Sequence, residues 1–126
     1  MSLQLPKFML AMCAILSIGA SYGGQLNPPA YLVAEIDVHD PETFNKQYVT
    51  RLWATVEHFG GHALSRGNRA DQVEGDAPKS IIIIEFKDMD TANAWYHSPE
   101  YAAIKPIRLA SSTGRVYFAE GVPRSN

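Results

Sequence analysis

The sequence predicts an α+β domain of ferredoxin-like βαββαβ order, a four-stranded antiparallel sheet with its helices on one face. Three observations carry that reading: a period-two run at Ala30–Val38, an amphipathic stretch from Asp40 to Gly60–Gly61, and the unbroken apolar run Ile81–Ile84. A length of 126 residues with 46% hydrophobic content suits a single domain with its own core. A formal net charge of −2 supplies no basic face for nucleic acid. No apolar run reaches the ~18 residues of a membrane-spanning helix.

In the first strand, Leu32, Ala34, Ile36 and Val38 fall on one face and Tyr31, Val33, Glu35 and Asp37 on the other. Asp40-Pro41-Glu42 then opens a helix: Asp40 caps, Pro41 suits the first turn, and Glu42 complements the dipole. Phe44, Tyr48, Leu52, Val56 and Phe59 recur at helical spacing, and Gly60-Gly61 ends the helix. His62–Arg66 reads as a short second strand, followed by a polar connection from Gly67 to Pro78 with a turn at Glu74-Gly75-Asp76. Lys79–Phe86 is the third strand. Asp88 caps a second helix through Trp95 and Tyr96, and Ser98-Pro99-Glu100 restarts it with the same cap, proline and acid. Pro106 is expected to kink that last helix, since it has no N–H to bond back to Ala102. Arg115–Glu120 is the fourth strand.

The N-terminus has a different grammar. Lys7 precedes an apolar run from Phe8 to Ile18, and small residues follow at Gly19, Ala20, Ser21, Gly23 and Gly24. That pattern is a secretory signal peptide, with acceptable cleavage after Ser21 or after Gly23. The organisation therefore reads as a signal peptide over 1–21, a linker over 22–29, a domain over 30–122 and a tail over 123–126. Cleavage removes Lys7 and Cys13, taking the net charge to −3 and leaving no cysteine for a disulfide or a nucleophile. The expected location is periplasmic or secreted, without stable membrane association once the leader is gone.

Two right-handed crossovers put both helices on one face of the sheet and leave the other face open. Yet Ile81, Ile82, Ile83 and Ile84 point alternately to both faces, the mark of a strand buried on both sides. A second copy is the simplest cover, so a homodimer is expected, its sheets face to face with a cavity between or beside them.

Residues spread along the whole domain bring a family into view. They are Asp40-Pro41-Glu42 with Phe44 and Tyr48, Gly60-Gly61, Arg66-Gly67, Glu74-Gly75, Ile84-Glu85-Phe86, Ala94-Trp95-Tyr96, Ser98-Pro99-Glu100-Tyr101, Arg108 and Glu120-Gly121-Val122. In these the chain resembles the domain-of-unknown-function 1330 family, small proteins of the dimeric α/β-barrel class. The resemblance implies that fold and a shared pocket that includes the position of Arg108. It supplies no substrate. This chain departs from the family pattern at His62 and Ser80, where basic residues are common.

The candidate chemistry is carried by few residues. Glu35 and Asp37 lie on the open face of the first strand, and Glu85 shares parity with Ile81 and Ile83. Carboxylates enclosed by a dimer partner could serve as general acid or base, or instead form an ion-pair network that sets the register. Arg66 and Arg108 are the candidate anion holders, and Glu85 and Arg108 are expected to meet at one rim of the cavity. Tyr96 and Tyr101 flank the Ser98-Pro99 break and would line a pocket mouth, while Trp95 reads as core. His58 and His62 are four apart, but Gly60-Gly61 breaks the helix between them and no third ligand is near, so no metal is expected. No nucleophile elbow or phosphate loop is present in the sequence.

These residues suit a cofactor-free protein that binds a small, partly apolar molecule. If it is an enzyme, fold analogy makes proton transfer or oxygen transfer the natural chemistry. The alternative is a non-catalytic dimeric module that binds a ligand or a partner. Residues 1–29 fused to a reporter that works only outside the cytoplasm should yield activity, with the mature N-terminus at Tyr22 or Gly24. A secreted product that keeps Met1 would overturn the leader.

Overall fold

The structure, a computed structural model, describes residues 27–124 and residue 2; the leader from Phe8 to Ile18 and both cleavage frames lie outside the described residues. Strand β1 spans Ala30–Val38, β2 His62–Asn68, β3 Ser80–Phe86 and β4 Ser112–Glu120. They form one antiparallel sheet in the order β2-β3-β1-β4. Helix α1 is built from three consecutive pieces, Pro41–Thr43, a π-helical stretch Phe44–Val49, and Thr50–His58. Helix α2 spans Met89–Tyr96 and α3 Pro99–Ser111.

The caps form as the sequence dictates. Asp40 accepts from the Thr43 N–H at 3.1 Å, Asp88 from the Thr91 N–H at 2.7 Å, and the Ser98 hydroxyl from the Tyr101 N–H at 3.2 Å. Each satisfies an orphan donor of its first helical turn. Gly60 stops α1 at φ +71°, and a Cβ on Gly61 would lie 2.6 Å from Phe86 Cε1. The first glycine supplies the left-handed turn and the second lets β2 leave close against the core.

Three details differ from the expectation. β2 runs two residues further, to Asn68, with register shifts between Ala63 and Ser65 and between Arg66 and Asn68. β4 begins at Ser112, because the main chain passes straight from α3 into the edge pairing Val38–Ser112. The π stretch in α1 was not foreseen. Its cause is legible: Phe44, Tyr48, Leu52 and Val56 are each four apart, a spacing that slips by about 40° per turn in a 3.6-residue helix. A π turn takes up that slip and keeps the residues facing the sheet. All four are buried.

One apolar core lies between sheet and helices. Leu32, Ala34, Ile36, Ile82, Ile84 and Phe86 supply the sheet side, against helix residues that include Leu52, Trp95 and Ile104. The opposite face is partly exposed in the single chain: Val33, Ile81 and Ile83 are half-buried and Tyr117 is 47% exposed. Helix α3 runs through Pro106 without interruption.

Hydrogen bonds from Thr43 hold the Asp40 carboxyl, and those from Thr91 the Asp88 carboxyl, below the ordinary value of 3.8. Folded-state values lowered in this way add stability that is complete above the unfolded value and is lost as pH falls through the lowered ones. The double variant Asp40→Asn/Asp88→Asn keeps capping oxygens but cannot titrate. Its Tm should therefore fall less steeply than wild type below pH ~4. Superimposable acid limbs in thermal melts would show that the caps do not contribute to acid sensitivity.

Candidate functional site

The site is built where α3 faces the sheet. Ser98 starts α3, which places Tyr101 in its first turn and Arg108 in its last, two turns apart on the buried side. The C-terminal turn suits a cation, and the carbonyl oxygen of Arg108 accepts from the Ser112 hydroxyl at 2.7 Å. The π stretch of α1 delivers Tyr48 to the same place.

The three polar groups connect. Arg108 Nε donates to the Tyr101 hydroxyl at 3.2 Å, and the Tyr101 and Tyr48 hydroxyls lie 3.3 Å apart. They border a small cavity of about 10 Å³, the room one water molecule needs. The rest of its wall is apolar and includes Leu32, Ile36, Ile82, Val116 and Trp95. Trp95 spends its N–H on Thr55 Oγ1 at 3.0 Å and stacks on Tyr101 with ring centroids 4.3 Å apart.

Arg108 is only 8% exposed, and no carboxylate pairs with it among the described residues. A guanidinium this deep without a carboxylate partner is costly, and the one neutral phenol that it bonds, Tyr101, returns only part of its lost hydration. Burial, then the neighbouring Tyr101 phenol, pushes the Tyr48 hydroxyl well above the usual tyrosine range. It is protonated at neutral pH and serves as a neutral hydrogen-bonding group.

The other candidates lie elsewhere. Glu35, Asp37 and Glu85 are all on the open face, each with a cation. Arg115 Nη2 donates to Glu35 at 3.0 Å, and Lys79 Nζ to Asp37 at 2.7 Å. Glu85 is 6% exposed; Arg124 Nη2 reaches its Oε2 at 2.6 Å and His62 Nε2 lies 3.3 Å from its Oε1. The expected meeting of Glu85 with Arg108 does not occur. Strand parity sends Glu85 to the face opposite Ile82 and Ile84, whereas Arg108 reaches the cavity on the side of those two isoleucines. The small cavity beside Arg108 is likewise between helices and sheet, while a larger open cleft of about 280 Å³ lies at Glu85, lined also by His62, Lys87 and Arg124.

Arg66 is exposed on edge strand β2, its guanidinium 4.5 Å from the centroid of the Trp53 ring. Tyr96 is half-buried one layer outside the cavity, 5.4 Å from the Tyr101 ring, with Lys105 Nζ 4.5 Å over its own ring. Of the ligand-binding candidates, Tyr101 and Arg108 come together and Arg66 and Tyr96 do not join them. Tyr48 is the residue that sequence reasoning missed. Its spacing marked it as core, but a tyrosine on a core stripe brings a hydroxyl that must find a partner when buried.

A family model described as domain of unknown function (DUF1330) matches residues 29–122. Among solved structures, RPA0582, a protein of unknown function from Rhodopseudomonas palustris, superposes with a TM-score of 0.63 at 14% identity. That match covers 78% of this chain and 85% of the other, and it shows a shared fold. SnoaB, a cofactor-independent oxygenase from Streptomyces nogalater, superposes with a TM-score of 0.47 at 19% identity, over 79% of this chain and 96% of its own. No curated protein matches the chain.

Since Arg108 strands no carboxylate, Arg108→Met should leave the apo protein as stable as wild type or stabilise it by ~1–4 kcal/mol. Thermal melts of the ligand-free protein check this. A loss of about 3–5 kcal/mol would mean that the arginine neutralises a buried acid after all.

Proposed function

The chain belongs to the DUF1330 family, whose description assigns no activity, and on that premise we propose that it is an exported homodimer that binds a small, partly apolar molecule between its helices and its sheet. One observation carries the proposal: Arg108 is buried beside an apolar wall, and among the described residues its guanidinium hydrogen-bonds only to the Tyr101 phenol. Proteins seldom keep such a charge for stability, whereas a binding site gains orientation and specificity from a few polar groups in an apolar lining. The engagement of Glu35, Asp37 and Glu85 by cations on the other face favours binding over acid–base chemistry by those carboxylates.

The homodimer is supported by the open face. Val33, Ile81, Ile83 and Tyr117 make an apolar stripe across β1, β3 and β4, bordered by the Glu35–Arg115 and Asp37–Lys79 pairs. A second copy would complete the burial of the isoleucine strand and shield those pairs from water. Export rests on the leader and places the dimer in the periplasm or outside the cell.

Light scattering of the mature chain at micromolar concentration should give twice its mass, and Ile83→Lys should give the monomer. A wild-type monomer would remove the second copy from the reading. Denaturing mass spectrometry of the purified protein, followed by a metabolite screen, should identify a small molecule that Arg108→Ala no longer retains. Retention that is equal in both proteins would sink the site.

A further inference from the structure

The hydrogen-bonding inventory of the cavity is unbalanced, and the imbalance specifies a ligand. A guanidinium carries five N–H donors and no acceptor. One of the five, on Nε, goes to Tyr101; the Nη groups donate to no described residue. The two phenols bring two more hydrogens, but only one O···O contact joins them. Whichever phenol donates in that contact, the hydrogen of the other is left over. Trp95 has no N–H to spare, since it is given to Thr55, and the remaining wall is aliphatic. The site is therefore rich in donors, holds one positive charge, and offers no anionic acceptor.

Resting on the reading of this cavity as a ligand site, we propose that its ligand is a small organic carboxylate. A planar carboxylate matches the guanidinium fork through two parallel hydrogen bonds, and its remaining lone pairs can take the spare phenolic hydrogen. It also neutralises a charge that pairs with no carboxylate among the described residues. The aliphatic wall calls for an apolar body on that carboxylate, and it disfavours phosphate or sulfate, whose outward oxygens would be left without donors. Ligands that are cations, or that offer only donors, are excluded by the same inventory. With room for one water as it stands, the cavity must part its wall even for formate, and further for larger acids.

The test compares matched pairs on the intact mature protein. Formate, butyrate and benzoate are titrated beside formamide, butyramide and benzamide, with the Arg108 Nε–Hε and Trp95 indole resonances followed by NMR. At least one carboxylate should shift both resonances and bind about tenfold or more tightly than its amide, the loss expected when charge-assisted hydrogen bonds become neutral ones. Arg108→Gln should weaken that binding by a similar factor; the matched pairs in wild type stand without it should the variant not fold. Amides that bind as well as the acids would overturn the carboxylate while leaving the cavity a ligand site. If none of the six moves either resonance, both the ligand class and the site fall. A carboxylate whose binding is indifferent to Arg108→Gln binds elsewhere and also overturns the proposal.

Discussion

Strand β1 is the constraint on which everything else rests. It lies at the centre of the sheet and pairs on both sides, Ala30 to Ile36 with β3 and Ala30 to Val38 with β4. Because successive side chains on a strand alternate, that double pairing sorts the residues of three strands into two sets. Leu32, Ala34 and Ile36 with Ile82 and Ile84 face the helices; Val33, Glu35 and Asp37 with Ile81, Ile83 and Glu85 face away. A slip of one residue in β1 would exchange the sets and put two carboxylates in the core. No such slip is tolerable.

The sorting separates two kinds of electrostatics. On the open face each acid meets a base whose side chain is largely in solvent: Arg115, Lys79 and Arg124 are all more than two-thirds exposed. Pairs of that kind are worth little by themselves, and their value lies in neutralising carboxylates along an apolar stripe. Glu85 is the exception. Its own burial makes the Arg124 contact matter more, and it ties the C-terminal tail to the start of β2 through His62. On the helix side a single charge stands among apolar groups with two phenols for company. There the protein tolerates an unfavourable arrangement, the kind of local inconsistency that marks function more often than structure.

The aromatic cluster gives that site its rigidity. Phe86, Trp95, Tyr101, Tyr96 and Phe118 form a chain of ring contacts from β3 through the helices and back to β4, with neighbouring centroids between 4.3 and 6.0 Å. Trp95 and Tyr101 are fixed further by bonds to Thr55 and Arg108. Tyr48 arrives from the opposite helix on a π turn, an irregularity often found at functional positions.

Much of the fold was legible because its signals are local. The alternation of Ala30–Val38, the capping residues Asp40, Asp88 and Ser98, and the Gly60-Gly61 stop each act within a few residues of chain, so reading them needs no knowledge of the rest. The order of the pieces followed from the same signals, and the family resemblance pointed to Tyr101 and Arg108. What the sequence left open was which side chains meet. Tyr48 and Tyr101 are 53 residues apart, and their contact exists only because a π turn and the packing of two helices align them. Glu85 and Arg108 are nearer in sequence, yet the sheet stands between them, since strand parity sends Glu85 to the open face while α3 packs Arg108 against the other. Local chemistry determines the elements and their ends; the register of the sheet and the seating of the helices decide the site, because contacts at that range depend on every intervening turn.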